Sequence, residues 1–261
     1  MQELELQQQI ERAAGLVLQS QRIVVFTGAG VSTESGIPDF RSPGGIWERF
    51  DPDDFTYEKF LTSPDARKRF WQLFRDKTFV GARPNAAHYA IAELERLAKL
   101  DCVITQNIDS LHQEAGNSSD KVIELHGTMK YCKCLDCGKR FPREEIEAML
   151  DLGMETPLCN ECGGLVKSAT ISFGEAMPER ETAEAQLRSS QCDLFITIGS
   201  SLVVYPAAYM PRYAVQAGAR LIIVNLDPTH LDGQADVLIR ARAGEAMSRI
   251  LETVKARMGE C

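Results

Sequence analysis

The 261-residue chain is poor in aromatic side chains (7%), and it has only four histidines and two tryptophans. It lacks any surplus of positive charge. Against 29 Lys and Arg stand 37 Asp and Glu, a net charge of −8, so the chain as a whole offers no general polyanion-binding surface. No apolar run approaches the roughly 18 residues needed to span a bilayer. The opening "MQELELQQQIERAAGLVLQSQ" has neither the basic start nor the apolar stretch of a signal peptide, and it spaces its apolar residues as an amphipathic helix does. These absences make a cytoplasmic protein the expectation, with no membrane partner and no direct nucleic-acid binding. There is no internal repeat and no low-complexity segment. What remains, 44% hydrophobic and 25% charged, is ordinary globular composition for one large or two modest domains.

Cysteine is not scarce: there are eight. In a reducing compartment so many would be odd as disulfides. Four of them fall in pairs, Cys134 with Cys137 and Cys159 with Cys162, and residues 138–158 separate the pairs. Two such knuckles let four thiolates converge on one Zn²⁺ at about 2.3 Å each, leaving no open position for water, so the metal is expected to be structural. Cys132, separated from Cys137 by four residues, is a rival for Cys134. Cys102 and Cys192 lie inside apolar runs and read as packing residues. A zinc ribbon can also bind nucleic acid. Residues 127–168, however, carry six Lys and Arg against seven Asp and Glu, a poor footprint for phosphate neutralisation.

Short apolar, β-branched runs recur at 22–28, 100–107, 121–127, 192–199, 220–227 and 235–240, each followed by a loop and most then by a helical pattern. Strands apolar on both faces are covered by helices on both sides, which predicts an α/β fold with a doubly wound, mostly parallel sheet. Ligands of such sheets sit at the carboxyl ends of the strands. Here those ends read "TGAG", "TQNID", "LHGT", "IGSS" and "VNLD". Two stretches break the alternation. Residues 42–80 place aromatics at helical spacing between proline-marked turns, and residues 129–166 hold the cysteine pairs.

The loop after the first strand, "GAGVSTESGIPDFR" (28–41), lacks something too. Gly28 and Gly30 suit a dinucleotide fingerprint, but the third glycine is absent: position 33 is Thr33. No acidic residue follows about twenty residues on at the end of a second strand, so a hydride-transferring dehydrogenase is not favoured.

In order along the chain, "GAGVSTESGIPDFRSP", "TQNIDSLHQEAG", "LHGT", the paired cysteines, "ISFGEAMP", "IGSSL" and "IVNLDPT" resemble the sirtuins, NAD-dependent protein lysine deacylases. The resemblance runs from about Arg22 to Ala243. It implies a Rossmann-like NAD-binding domain from 1–41, 81–128 and 167–261, with a smaller domain made of a helical insert (42–80) and a zinc ribbon (129–166). It also implies an activity: removal of acetyl groups from protein or peptide lysines, with NAD as co-substrate and nicotinamide and O-acetyl-ADP-ribose as products. Protein mono-ADP-ribosyl transfer or NAD glycohydrolysis from the same site is the alternative.

In that scheme the acyl oxygen attacks ribose C1′ as nicotinamide leaves, giving an alkylimidate. A histidine then activates the ribose hydroxyls. Position by position, the resemblance assigns catalysis to His126, Asn107 and Asp109. The nicotinamide-ribose pocket falls to Ala29, Ser32, Ile37, Asp39, Phe40, Asn107, Ile108 and Asp109, with Arg41 on a phosphate or bracing the loop. Gly28, Gly30, Gly199, Ser200 and Ser201 would approach the pyrophosphate. Gln106 would hydrogen-bond the ribose or the amide. Asn225, Leu226, Asp227 and Ala243 would surround the adenosine. His88, His112 and His230 read as structural.

Ile171, Phe173, Gly174 and Glu175 match the segment that pairs with the substrate backbone as an added strand. The preceding "KSA" stands where Arg-Pro-Asp is commoner. Relatives that remove succinyl groups carry a Tyr and an Arg in the helical insert, two residues between them. Phe74 and Lys77 align there, which predicts preference for neutral acyl groups.

Overall fold

The computed structural model describes residues 2–76, 79 and 81–259; Lys77 lies outside them. Its strands, in chain order, are β1 (Ile23–Thr27), β2 (Leu100–Thr105), β3 (Val122–Glu124), β4 (Gly127–Cys134), β5 (Arg140–Pro142), β6 (Val166–Thr170), β7 (Leu194–Ile198), β8 (Arg220–Val224) and β9 (Val237–Ile239). The helices are α1 (Gln2–Gln19), α2 (Tyr57–Thr62), α3 (Pro64–Phe74), α4 (Ala86–Arg96), α5 (Leu111–Ala115), α6 (Arg143–Asp151), α7 (Glu179–Gln191), α8 (Met210–Gln216) and α9 (Ala243–Met258).

Six strands form one parallel sheet in the order β3-β2-β1-β7-β8-β9. All five residues of β1 are buried, and they alternate between two cores. Ile23 and Val25 join the cluster under α1, α4 and α9, whereas Val24 and Phe26 join the cluster under α7 and α8. That two-residue alternation, apolar on both sides, is what a parallel sheet covered by helices demands. Strand order reverses between β1 and β7, the switch point at whose carboxyl edge a doubly wound sheet leaves its crevice.

The two interruptions pack on each other. β4, β5 and β6 form a separate antiparallel sheet in the order β5-β4-β6. Its core is shared with the insert: Phe60, Phe70, Trp71 and Phe74 from α2 and α3 meet Phe141, Ile146 and Val166. Ser63 starts α3 by accepting the Ala66 N–H, with Pro64 in the first turn where a missing N–H costs nothing. β4 begins at Gly127 and β6 runs to Thr170, so the boundaries at 128 and 166 fall inside strands that leave the large sheet and return to it.

Candidate active site

One cavity of about 750 Å³ opens at the carboxyl ends of β1, β2, β3, β7 and β8 and extends toward the insert. Every residue expected at the cofactor lines it: Gly28, Ala29, Gly30, Ser32, Ile37, Asp39, Phe40, Arg41, Gln106, Asn107, Ile108, Asp109, His126, Gly199, Ser200, Ser201, Asn225, Leu226, Asp227 and Ala243. So do Ile171, Phe173, Gly174 and Glu175.

The glycines have a second reason to be glycine. The Gly30 N–H donates to the Gly199 carbonyl at 2.9 Å, so the β1 and β7 loops touch backbone to backbone. A Cβ on Gly28 would meet the Gly199 carbonyl oxygen at 2.7 Å, and one on Gly30 would meet the Gly199 Cα at 2.8 Å. Gly199 itself has φ +61° and would press a Cβ to 2.3 Å from the Val31 nitrogen. Loop packing therefore requires these glycines before any ligand does.

Hydrogen bonds tie this loop to the end of β2. The Ser32 hydroxyl donates to Asp109 Oδ2 at 2.7 Å, and Asn107 Nδ2 donates to Ser32 Oγ at 3.1 Å and to the Gly28 carbonyl at 3.2 Å. Burial pushes the Asp109 carboxyl above the usual carboxylate range, against the pull of the Leu111 N–H and the Ser32 hydroxyl. Asp39 goes the other way. Burial raises it, but hydrogen bonds from Ser42 and Arg41, together with the Arg41 charge, more than offset this and hold it below the ordinary value.

His126 Nδ1 lies 3.1 Å from the Gln106 carbonyl oxygen. A carbonyl can only accept, so Nδ1 carries the proton and neutral Nε2 keeps its lone pair. Burial lowers the imidazole pKa, which the carbonyl contact only partly restores. Gln106 Nε2 donates in turn to Ser200 Oγ at 2.9 Å, linking the β2 and β7 ends. At the far side, Arg240 Nη1 donates to the Asn225 and Asp227 carbonyls at 3.0 and 2.8 Å and braces that turn.

His112 Nε2 sits 2.9 Å from Thr27 Oγ1 beneath the site, and its ring lies 4.9 Å from that of His88. Burial depresses the two imidazoles to about 3 and about 4 respectively, and His88 Nδ1 accepts the Asn85 N–H in the α4 capping box.

Part of the site escaped sequence reasoning. Trp47, Phe55, Phe70, Leu73 and Phe79 wall the end of the cavity toward the insert. Trp47 packs at 5.1 Å from Phe40 and 5.9 Å from Phe173. Aromatic spacing within the insert was the only signal, and it reads equally as core. Phe74, aligned with the acyl-reading position, is buried among Trp71 and Arg143 and does not line the cavity; Leu73 does. Glu34 Oε2 accepts the Gly244 N–H at 2.6 Å, fastening the loop to the start of α9, and nothing in the local sequence pointed to it. The segment expected to receive a substrate strand is partly occupied already. Phe173 bonds through both backbone groups to Phe55 and Tyr57, and Gly174 beside it makes no backbone hydrogen bond among the described residues.

The four paired cysteines converge, every Sγ within 4.8 Å of the others. Cys134 to Cys162 is 3.4 Å and Cys137 to Cys159 is 3.7 Å. A tetrahedron of thiolates about 2.3 Å from zinc has edges of about 3.8 Å, so the cluster fits that ion. Cys132 stands apart in the aromatic core, where burial pushes its thiol up to about 12 and keeps it protonated. The rivalry resolves to Cys134.

A crevice at the carboxyl ends of a doubly wound parallel sheet, with an imidazole on its wall, and a closed four-cysteine cluster in the smaller sheet define a nucleotide-binding α/β protein with a place for a structural metal. The family model described as Sir2 family matches residues 28–206. The chain is 47% identical to "NAD-dependent protein deacetylase 1" of Bradyrhizobium diazoefficiens, over 93% of this chain and 95% of that one. It is 46% identical to "NAD-dependent protein deacylase 2" of Archaeoglobus fulgidus, over 98% of this chain and 100% of that one. A solved Sir2 complex with deacetylated p53 peptide and 3′-O-acetyl ADP-ribose superposes with a TM-score of 0.88 at 39% identity, covering 93% of this chain and 97% of that one. This chain belongs to the Sir2 family.

Proposed function

We propose that the chain is an NAD-dependent protein lysine deacetylase, releasing nicotinamide and O-acetyl-ADP-ribose. The observation that carries the reading is the continuity of one cavity from the glycine-lined loop ends to an aromatic end, with the His126 imidazole on its wall. The deacetylase and deacylase names of relatives at 46–47% identity support it.

Bound NAD supplies an electrophilic ribose carbon as its nicotinamide departs. Asp39, held ionised, sets negative charge on the cavity wall where positive charge develops on the sugar. The Asp109–Ser32–Asn107 network keeps the loop in register with it. The free Nε2 of His126 takes a proton from a ribose hydroxyl, and the lowered pKa keeps that nitrogen unprotonated at neutral pH. Phe40, stacked near Trp47, keeps water from the sugar. Gly174 offers its unpaired main chain to a peptide. Cys134, Cys137, Cys159 and Cys162 would hold a zinc ion that orders the three-stranded sheet and takes no part in the reaction.

Neutral acyl groups fit best. Among the described residues the acyl end is walled by Trp47, Phe55, Phe70, Leu73 and Phe79, and Lys167 beneath it is paired with Glu175 at 2.9 Å. An acetyl-lysine peptide incubated with and without NAD, with succinyl and long-chain peptides alongside, tests both claims. Acetyl loss only with NAD is expected. Nicotinamide release without deacylation would favour glycohydrolysis or ADP-ribosyl transfer, and succinyl preference would overturn the acyl assignment.

A further inference from the structure

Lys167 is an unusual lysine. Its side chain is fully buried on β6, a position that needs a specific partner for the ammonium. Its donors are committed: one to the Thr170 carbonyl, one to Glu175, and the cation sits 5.5 Å from the centre of the Phe70 ring, part of the cavity wall. The Glu175 carboxylate, through Oε2, also accepts the Ser172 N–H at 2.9 Å, while the Glu175 N–H donates to the Ser172 carbonyl at 3.0 Å. Lys167 thus spans both ends of the turn 170–175 from below. That turn carries Phe173 and the free main chain of Gly174.

We propose that Lys167 is a positioning residue for the acyl-peptide: acting through Glu175, it locks the 171–175 turn in the form that receives the substrate main chain, without touching cofactor or substrate. The inference rests on the deacetylase reading. The first effect belongs to the peptide side only, because the dinucleotide end is held by separate hydrogen bonds around Ser32, Asn107 and Gly199.

The test is Lys167→Met, alongside Lys167→Arg, Glu175→Gln and the Met/Gln double variant. Methionine fills a similar apolar volume, and replacing a buried ion-pair member by an apolar side chain is frequently tolerated when the partner can reach solvent or is neutralised as well. KM for acetyl-peptide is expected to rise at least about tenfold in Lys167→Met, with about a hundredfold as the upper limit for a displacement near 1 Å, and KM for NAD to stay within about twofold. Lys167→Arg should recover most of the loss, and the double variant should be no worse than Lys167→Met. Hydrogen exchange of the Ser172 amide, about tenfold faster in Lys167→Met without substrates, reads the same lock independently of activity. A peptide KM unchanged in Lys167→Met, equal rises in both KM values, or unaltered Ser172 exchange would overturn the proposal. Wild-type protein inactive on acetyl-peptide would sink the deacetylase reading instead, with the exchange measurement still deciding whether Lys167 holds the turn.

Discussion

Substituting alanine for Gly199 tests the crevice most directly. Two penalties combine there. A non-glycine residue at φ +61° costs about 1–2 kcal/mol in the left-handed region. The new Cβ would also lie 2.3 Å from the Val31 nitrogen and 2.5 Å from the Gly30 carbonyl carbon, both backbone atoms that cannot swing aside. Shifting them adds about 1–3 kcal/mol by analogy with overpacked cores. The expected loss is about 2–5 kcal/mol, or roughly 4–10 °C in melting temperature for a chain of this length. Gly218→Ala is the matched control: its φ is +94°, but a Cβ there meets nothing within 4 Å, so only the backbone penalty of about 1–2 kcal/mol applies. Because the displaced atoms are the loop that faces the dinucleotide, Gly199→Ala should also weaken NAD binding about tenfold or more by calorimetry, while Gly218→Ala leaves it unchanged. If both variants melt within a degree of each other and bind NAD like the wild type, the close approach of the two loops is not what makes the crevice.

His126→Ala should abolish deacetylation. In the wild type kcat/KM should fall only as pH drops below the ordinary histidine value of about 6.5, because burial depresses this imidazole; a midpoint above 7 would contradict the environment described. Stability should fall in acid as well. His88 and His112 bind protons near 6.5 when unfolded but only near 4 and 3 when folded, so the unfolded state gains protons first and stability is lost as pH falls below 6.5. At pH 5.5 the two together cost about 3 kcal/mol, partly opposed by Asp109 and Glu124, whose raised values favour the folded state in acid. Denaturant midpoints equal at pH 7.5 and 5.5 would refute this. Cys159→Ala or a strong chelator should remove zinc and loosen the three-stranded sheet, whereas Cys132→Ala should leave the metal content unchanged. A folded, active, metal-free protein would be the contrary result.

Much of this was legible from neighbours in the chain. Apolar runs located all six strands of the parallel sheet because burial on both faces leaves a continuous signal a few residues long. Two-residue gaps between cysteines pointed to the four thiols that converge, because a knuckle is a local structure. The crevice motifs lay at strand ends, where a doubly wound sheet must bring them together.

What local spacing could not reach depends on partners far apart along the chain. Cys132 and Cys134 differ only in whether the folded core leaves a thiol among aromatics or beside three other sulfurs. The proton on His126 is assigned by a carbonyl twenty residues away, and the Glu34 clasp spans 210 residues. Phe70 and Phe74 share one helix and one aromatic spacing, yet only the first faces the cavity, because the rotation of α3 against the three-stranded sheet decides it. Secondary structure follows from short-range sterics and periodicity. Ligand geometry, tautomers and which apolar face meets solvent follow from long-range packing, and that is settled only when the chain has closed on itself.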